Sequence, residues 1–214
     1  MGFFSFGKSK ITKTTSRNSA FYNRENHIVS MDNFVDTIFR EPEKGTVLRE
    51  SSKQLVFGKI PIDQITEERL LDVMDKSDFT IDNNENIPGH KIYFYRDTAG
   101  YYKFLFQFHF FNGEFFFLKN KISSAAAVVS AEDKNKVINQ LTTKYAVDDR
   151  EDKNSFLIRI TDVNGNIAYT TDTVYFYISY LRGGEYMKKL KEQYSGYEPE
   201  PEEDEFGDSL DKYL

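Results

Sequence analysis

Phenylalanine stands at positions 104, 106, 108 and 110, and the chain then meets Asn112-Gly113 and returns through Phe115-Phe116-Phe117-Leu118. Side chains of a strand alternate between two faces, so a period of two in large apolar residues defines a buried face. Asn-Gly tolerates the two successive positive φ angles that a tight two-residue hairpin requires. The segment is therefore expected to be a long antiparallel hairpin with Phe104, Phe106, Phe108 and Phe110 facing a core. Ile92 and Phe94, alternating with Tyr93 and Tyr95, add a strand before it. With 20 Phe and 14 Tyr in 214 residues, and no Trp, rings supply much of that core. The absence of Cys excludes disulfides, thiolate metal sites and thiol nucleophiles.

Around this hairpin the sequence follows one plan twice. Residues 54–110 and 114–180 each read strand, helix, strand, turn, strand. Thr66 opens the first helix, with Leu70, Val73 and Met74 at helical spacing. Ser130 opens the second, with Val137, Ile138 and Leu141, and Asp133 completes a variant of the capping box. An apolar run begins 26 residues after each cap, at Ile92 and at Phe156. Each run meets a turn, Thr98-Ala99-Gly100 and Asp162-Val163-Asn164-Gly165, the second expected to be type I′ at Asn164-Gly165. The expected fold class is α+β, with tandem β-α-β-β units forming one or two antiparallel sheets and helices packed mainly on one face. Met74 and Ile138 are expected at equivalent core sites. The pattern is compatible with TATA-box-binding-protein-like and β-lactamase-inhibitor-like architectures, and no residue motif selects one.

The ends differ from the body in charge. Residues 1–24 carry Lys8, Lys10, Lys13, Arg17 and Arg24 and no acid, and residues 197–214 carry eight acids and one lysine. The formal net charge is −6, which leaves the body at −4. Residues 1–24 are expected to form a basic mobile arm, 25–53 a short helix capped by Ser30 and a linker from Gly45 to Lys53, 54–196 the α+β core, and 197–214 a disordered acidic tail. Within the core, Gln54–Ile60 reads as a strand, Ile167–Leu181 as one last long strand, and Tyr186, Leu190 and Tyr194 as the apolar stripe of a final helix. Met1–Phe6 is too short and uncharged for a secretory signal, and Phe6 stands where a myristoylation motif needs Ser or Thr. No apolar run reaches the length of a membrane span. A soluble cytoplasmic protein is expected.

No motif for ordinary catalysis is present, neither phosphate-binding loop, dinucleotide fingerprint nor nucleophile elbow. No pair among His27, His90 and His109 has metal-ligand spacing, and His109 is expected to be a partly exposed strand residue opposite the Phe face. Neither metal nor cofactor is expected. The Asp162–Asn166 stretch lacks the ligand spacing of a calcium loop. Gly183-Gly184 reads as a strand-to-helix joint. Tyr93, Tyr95, Tyr101 and Tyr102, with Arg96 and Lys103, are a candidate stacking platform for single-stranded nucleic acid.

The tail places Phe206, Leu210, Tyr213 and Leu214 after a run of acids, a composition suited to docking on a basic-rimmed partner. In composition it is similar to the tails of phage and bacterial single-stranded-DNA-binding proteins. The expected function is a non-catalytic protein-interaction or assembly protein with a folded scaffold and partner-docking tails. The alternative is a single-stranded nucleic-acid-binding protein with an acidic C-terminal tail.

Overall fold

A computed structural model describes residues 15–124, 128–147 and 155–199. The expected hairpin is its centre. β5 (His90–Ala99), β6 (Tyr102–Phe111) and β7 (Glu114–Ser124) form a continuous antiparallel meander. Asn112 and Gly113 both take positive φ, 51° and 81°, as the tight turn demands. β4 (Phe79–Asp82) pairs with β5 and closes one edge of the sheet. On the other side β7 pairs with β10 (Phe176–Leu181), then come β9 (Ile167–Asp172), β8 (Ile158–Thr161) and β1 (Val47–Glu50). The eight-stranded sheet has the order β1-β8-β9-β10-β7-β6-β5-β4 and is mixed, because β1 runs parallel to β8 while all other pairs are antiparallel.

Several expectations are corrected. β1 lies in the expected linker; its Leu48 is exposed and nothing in Val-Leu-Arg-Glu alternates apolar with polar. Gln54–Ile60 is not one strand but the small hairpin of β2 (Val56–Phe57) and β3 (Ile60–Pro61). Ile167–Leu181 is two strands, β9 and β10, joined around Thr173–Tyr175. In the β8–β9 turn only Gly165 has positive φ, so Asn164-Gly165 is not type I′. Residues 15–25 of the expected arm form a helix, α1 (Thr15–Glu25). Residues 1–14 lie outside the described residues.

The remaining helices follow their caps. Ser30, Thr66 and Ser130 each accept a hydrogen bond from the third residue beyond, at 3.3, 3.3 and 3.1 Å, and open α2 (Met31–Ile38), α3 (Glu67–Met74) and α4 (Ala131–Lys144). Each such cap contributes about 1 kcal/mol. α5 (Gly184–Tyr194) starts after Gly183, whose place admits no side chain: a Cβ there would sit 1.9 Å from the Gly165 carbonyl oxygen.

Helices cover both faces of the sheet rather than mainly one. On the first face α3, α4 and the β2–β3 hairpin pack Leu70, Ile138, Leu141 and Phe57 against Phe106, Phe108 and Phe110. On the second, α2 and α5 pack Phe34, Ile38, Met187 and Leu190 over Phe111, Phe116, Phe117 and Leu181. α1 seats Tyr22 on Ile92, Phe94 and Leu105 of the same second face, its ring stacked 4.8 Å from Phe79. Ile138 is fully buried, whereas Met74 is half-buried at the edge of the same cluster. The halves also differ at their start: β7 belongs to the main sheet, while β2 and β3 form a separate one.

Candidate functional site

Strand register assembles the histidines. His109 on β6 pairs with Ile92 on β5, which puts His90, two residues before Ile92, at the diagonal position of the second face. The two imidazoles stack at 5.3 Å with 9° between planes, and His90 Nε2 lies 3.1 Å from His109 Nδ1. Both are fully buried, so the expectation of a partly exposed His109 is overturned. Strand alternation gave the correct face; the covering α2 and the α1–α2 connection were not visible in it.

Proton positions follow from the neighbours. The Asn83 amide donates through Nδ2 to the Ile28 carbonyl at 3.2 Å and accepts through Oδ1 from Asn86 at 3.2 Å, which fixes its orientation. Asn83 Nδ2 therefore also donates to His90 Nδ1, at 3.1 Å. His90 must carry its proton on Nε2 and donate it to His109 Nδ1, leaving the His109 proton on Nε2. That Nε2 is buried with no hydrogen-bond partner among the described residues. Burial lowers the His90 pKa to about 4 and takes that of His109 well below the ordinary imidazole value, helped there by the charges of His90, His27 and Lys119.

The third histidine approaches from the α1–α2 connection. His27 and His109 both pack on the Phe117 ring, at 5.8 and 5.3 Å. Gln107 clamps the connection, accepting from the His27 amide at 3.2 Å and donating to the Glu25 carbonyl at 2.7 Å. Lys119 Nζ donates to His27 Nδ1 at 2.9 Å and lies 4.5 Å from the centre of the Tyr177 ring. Burial, then the nearby Arg40, lower the Lys119 pKa to about 8. Burial, then Lys119 and Arg40, lower that of His27 to about 3.

Along the register Arg159, Tyr169, Ser179, Lys119 and Gln107 form one row across five strands of the second face. The next row toward the helices holds Leu181, Phe117, His109 and Ile92, all buried. Within this row Tyr169, Ser179 and Gln107 are buried, while Arg159 and Lys119 are half-buried. Arg40, just past α2, stands 5.4 Å over Tyr169 and pairs with Glu43, while the Arg159 guanidinium donates to the Arg40 carbonyl at 3.1 Å. A shallow depression opens here, lined by Arg40, Glu43, Thr46, Arg159, Tyr169 and Thr171. One step further out, Lys121 pairs with Glu25 at 2.8 Å and lies 3.5 Å over Tyr175. Among the described residues, no carboxylate lies within ion-pair distance of Lys119 or Arg159.

The tyrosine hairpin does not form the expected platform. Tyr95 is 4% exposed and Tyr101 56%, and Tyr93 is half-buried against the α3–α4 core. Adjacent strand residues point to opposite faces, so Arg96 leaves Tyr95 for the second face, where it pairs with Asp78 at 3.4 Å and lies over Tyr22. Lys103 is exposed, at the far end of β6. Tyr101 and Tyr102 bond to each other at 2.8 Å, and Tyr101 donates to Asp133 at 3.1 Å. The Tyr102 and Ser130 hydroxyls hold the Asp133 carboxyl below the usual carboxylate range. Phe206, Leu210, Tyr213 and Leu214 lie outside the described residues.

The Asp162 loop is structural. Its carboxylate accepts from the Asn164, Asn166 and Leu55 amides at 2.8 to 2.9 Å and from the Asn166 side chain at 3.0 Å. Among the described residues no group of three or more His, Asp or Glu is placed to hold a metal ion, and no helix is long and apolar enough to cross a membrane. The basic row was missed because its members are 40 residues apart in sequence; the His90–His109 pair was legible once Gly100-Tyr101 is taken as a two-residue turn and the register counted back. Comparison with protein-family models, with curated proteins and with solved structures finds no match to this chain.

Proposed function

We propose that this chain is a non-catalytic interaction or assembly protein whose second sheet face receives an acidic segment of a partner protein. The observation that carries this reading is the row holding Lys119 and Arg159, two half-buried cations beside an apolar core with no carboxylate in ion-pair distance among the described residues. A partly buried cation attracts a carboxylate more strongly than a hydrated surface lysine does. The rings of Tyr169, Tyr175 and Tyr177 beside these cations supply apolar contact area, as interface centres do. In this reading the α3 and α4 halves are two versions of one β-α-β-β plan, supported by their equivalent caps and shared face. The tail anchors Phe206, Leu210, Tyr213 and Leu214 then dock on a further protein, and the protein works in the cytoplasm.

Affinity purification from the native host tests this with full-length wild type, Lys119→Glu with Arg159→Glu, and Lys103→Glu as control. Partners held by wild type and by the control, and lost from the double variant, are the expected result. A chain that comes down alone in every case would sink the proposal.

A second reading is favoured by the stacked geometry alone. Lysines over Tyr175 and Tyr177 also suit single-stranded nucleic acid, which combines phosphates with ring faces. Anisotropy of a labelled oligonucleotide at about 50 mM salt, where phosphate contacts are strong, decides it. No binding there removes this alternative.

A further inference from the structure

We infer that the turn between β6 and β7 is a site of spontaneous covalent modification, at which Asn112 loses its side-chain amide and becomes aspartate or isoaspartate, while the fold protects Asn164 from the same reaction. The chain holds two Asn-Gly pairs, Asn112-Gly113 and Asn164-Gly165. Both have a reactive sequence, because glycine has no Cβ to obstruct attack by its own backbone nitrogen on the asparagine side chain. They differ in what the structure puts around them.

In the first step the Gly113 nitrogen forms a bond to Asn112 Cγ, and the Cγ–Nδ2 bond breaks. The Gly113 amide proton leaves with Nδ2 as ammonia, and a five-membered imide remains. Water then opens the ring. Attack at Cγ gives aspartate; attack at the backbone carbonyl carbon gives isoaspartate, with the chain rerouted through Cγ. No oxidant, reductant or further reactant is consumed.

The reaction needs a glycine N–H that can lose its proton and turn, and a carboxamide that nothing holds. At the β6–β7 turn Asn112 and Gly113 are both exposed. Among the described residues neither the Asn112 carboxamide nor the Gly113 N–H has a hydrogen-bond partner. No atom lies within 4 Å of where a Gly113 Cβ would stand, and the carboxamide rests over Gly89, which has no side chain to grip it.

The Asn164-Gly165 turn meets neither condition. Asn164 Nδ2 donates to Asp63 Oδ2 at 3.0 Å, and the Gly165 N–H donates to the Asp162 carbonyl at 3.0 Å. The Gly165 carbonyl lies tight against Gly183, where a Cβ would sit 1.9 Å from its oxygen. Bringing the Gly165 nitrogen onto Asn164 Cγ breaks both hydrogen bonds and moves a peptide that has no free space beside it.

The two products act differently on the β6–β7 turn. Asp-Gly suits the same paired positive φ angles as Asn-Gly. Isoaspartate adds a methylene to the main chain of a two-residue loop, next to the Phe111–Glu114 pair that closes the ladder. The modification therefore strikes the central hairpin of the sheet.

The test incubates the full-length protein in mildly alkaline buffer, native and in urea. Peptide mapping that resolves asparagine, aspartate and isoaspartate follows both turns. The urea sample, run until both asparagines have turned over, gives the ratio of their rates without the fold. In the native sample the ratio of Asn112 to Asn164 conversion is expected to exceed that value by about tenfold or more, because the packed loop must open before it reacts. A native ratio equal to or below the urea ratio overturns the inference. So does a native Asn112 that stays amide while its urea counterpart converts, since the turn itself would then be the protecting element.

Discussion

The two faces of the central sheet are made by the same strands and have opposite characters. Under α3 and α4, β6 presents Phe106, Phe108 and Phe110 to an apolar cluster with tyrosines at its edge. Under α1, α2 and α5, the same strand presents Leu105, Gln107, His109 and Phe111, and a polar row through Gln107 and Lys119 interrupts the apolar packing. Chemistry is thus sorted by residue parity. One face is a continuous apolar cluster, and the other combines a core with a row of polar and charged side chains.

The largest expected effect lies on the apolar face. Ile138→Asp places a carboxylate among fully buried groups with no partner, a cost on the order of the chain's whole stability. Met74→Asp is milder, since half-buried Met74 lets the carboxylate reach water. Asn139→Ala, one residue along and exposed, costs under about 0.5 kcal/mol. Thermal melts rank the three. Equal losses at Met74 and Ile138 would show that the two halves are more alike than their burial indicates.

Next come two rings that the sequence placed together and the fold separates. Tyr95→Ala removes a ring packed against Phe108 and costs about 3 kcal/mol. Tyr101→Ala removes an exposed ring and costs under about 1 kcal/mol. Denaturant midpoints of the two variants should differ by that order. Coincident midpoints would mean that Tyr95 is not core.

This pair shows what the sequence could and could not convey. Period two located both faces of β5 and β6, and side-chain caps located α2, α3 and α4, because each signal is local. β1 carried no signal, because its pairing with β8 is parallel and joins residues more than 100 apart. The β9–β10 turn was hidden because Thr173-Val174-Tyr175 has strand-forming residues where a turn usually shows Gly or Pro. α1 was hidden because Ser, Arg and Asn fill its first turns and, among the described residues, its apolar packing is carried by Phe21 and Tyr22. The candidate site combines strand residues that were legible as strand with a loop and a helix end whose arrival no pattern announces.

The histidine pair makes the second face acid-sensitive in the imidazole range. Between pH 6.5 and about 4 the unfolded chain takes up a proton that folded His90 refuses, so stability is full above that window and falls through it. The loss from His90 alone is on the order of 3 kcal/mol. His109, shifted the same way, adds to it. Urea titrations at pH 7 and pH 4.5 should show the loss in wild type and a smaller one when His90→Leu and His109→Leu are combined. At pH 7 the double variant should cost less than the sum of the singles, because each single change strands the other imidazole. An unchanged pH slope in the double variant would place the acid sensitivity elsewhere.

The smallest effects distinguish two lysines of one strand, two residues apart on one face. Lys121 is paired with Glu25 at 2.8 Å, and both side chains are mostly buried. Lys121→Met leaves the Glu25 carboxylate without its cation in a poorly hydrated place and should cost about 2 kcal/mol. Lys119 has no acid within ion-pair distance among the described residues. Its Nζ donates to neutral His27, Arg40 and Lys121 repel it, and Glu25 attracts it from further off. Lys119→Met removes that repulsion as well as one hydrogen bond, and the net change should stay within about 0.5 kcal/mol. Melts in low and high salt make the comparison, since removing a repulsion matters most when little salt screens it. A cost at Lys119 as large as at Lys121 would show that Lys119 is already balanced within the fold, and the case for an anion site on this row would lose its ground.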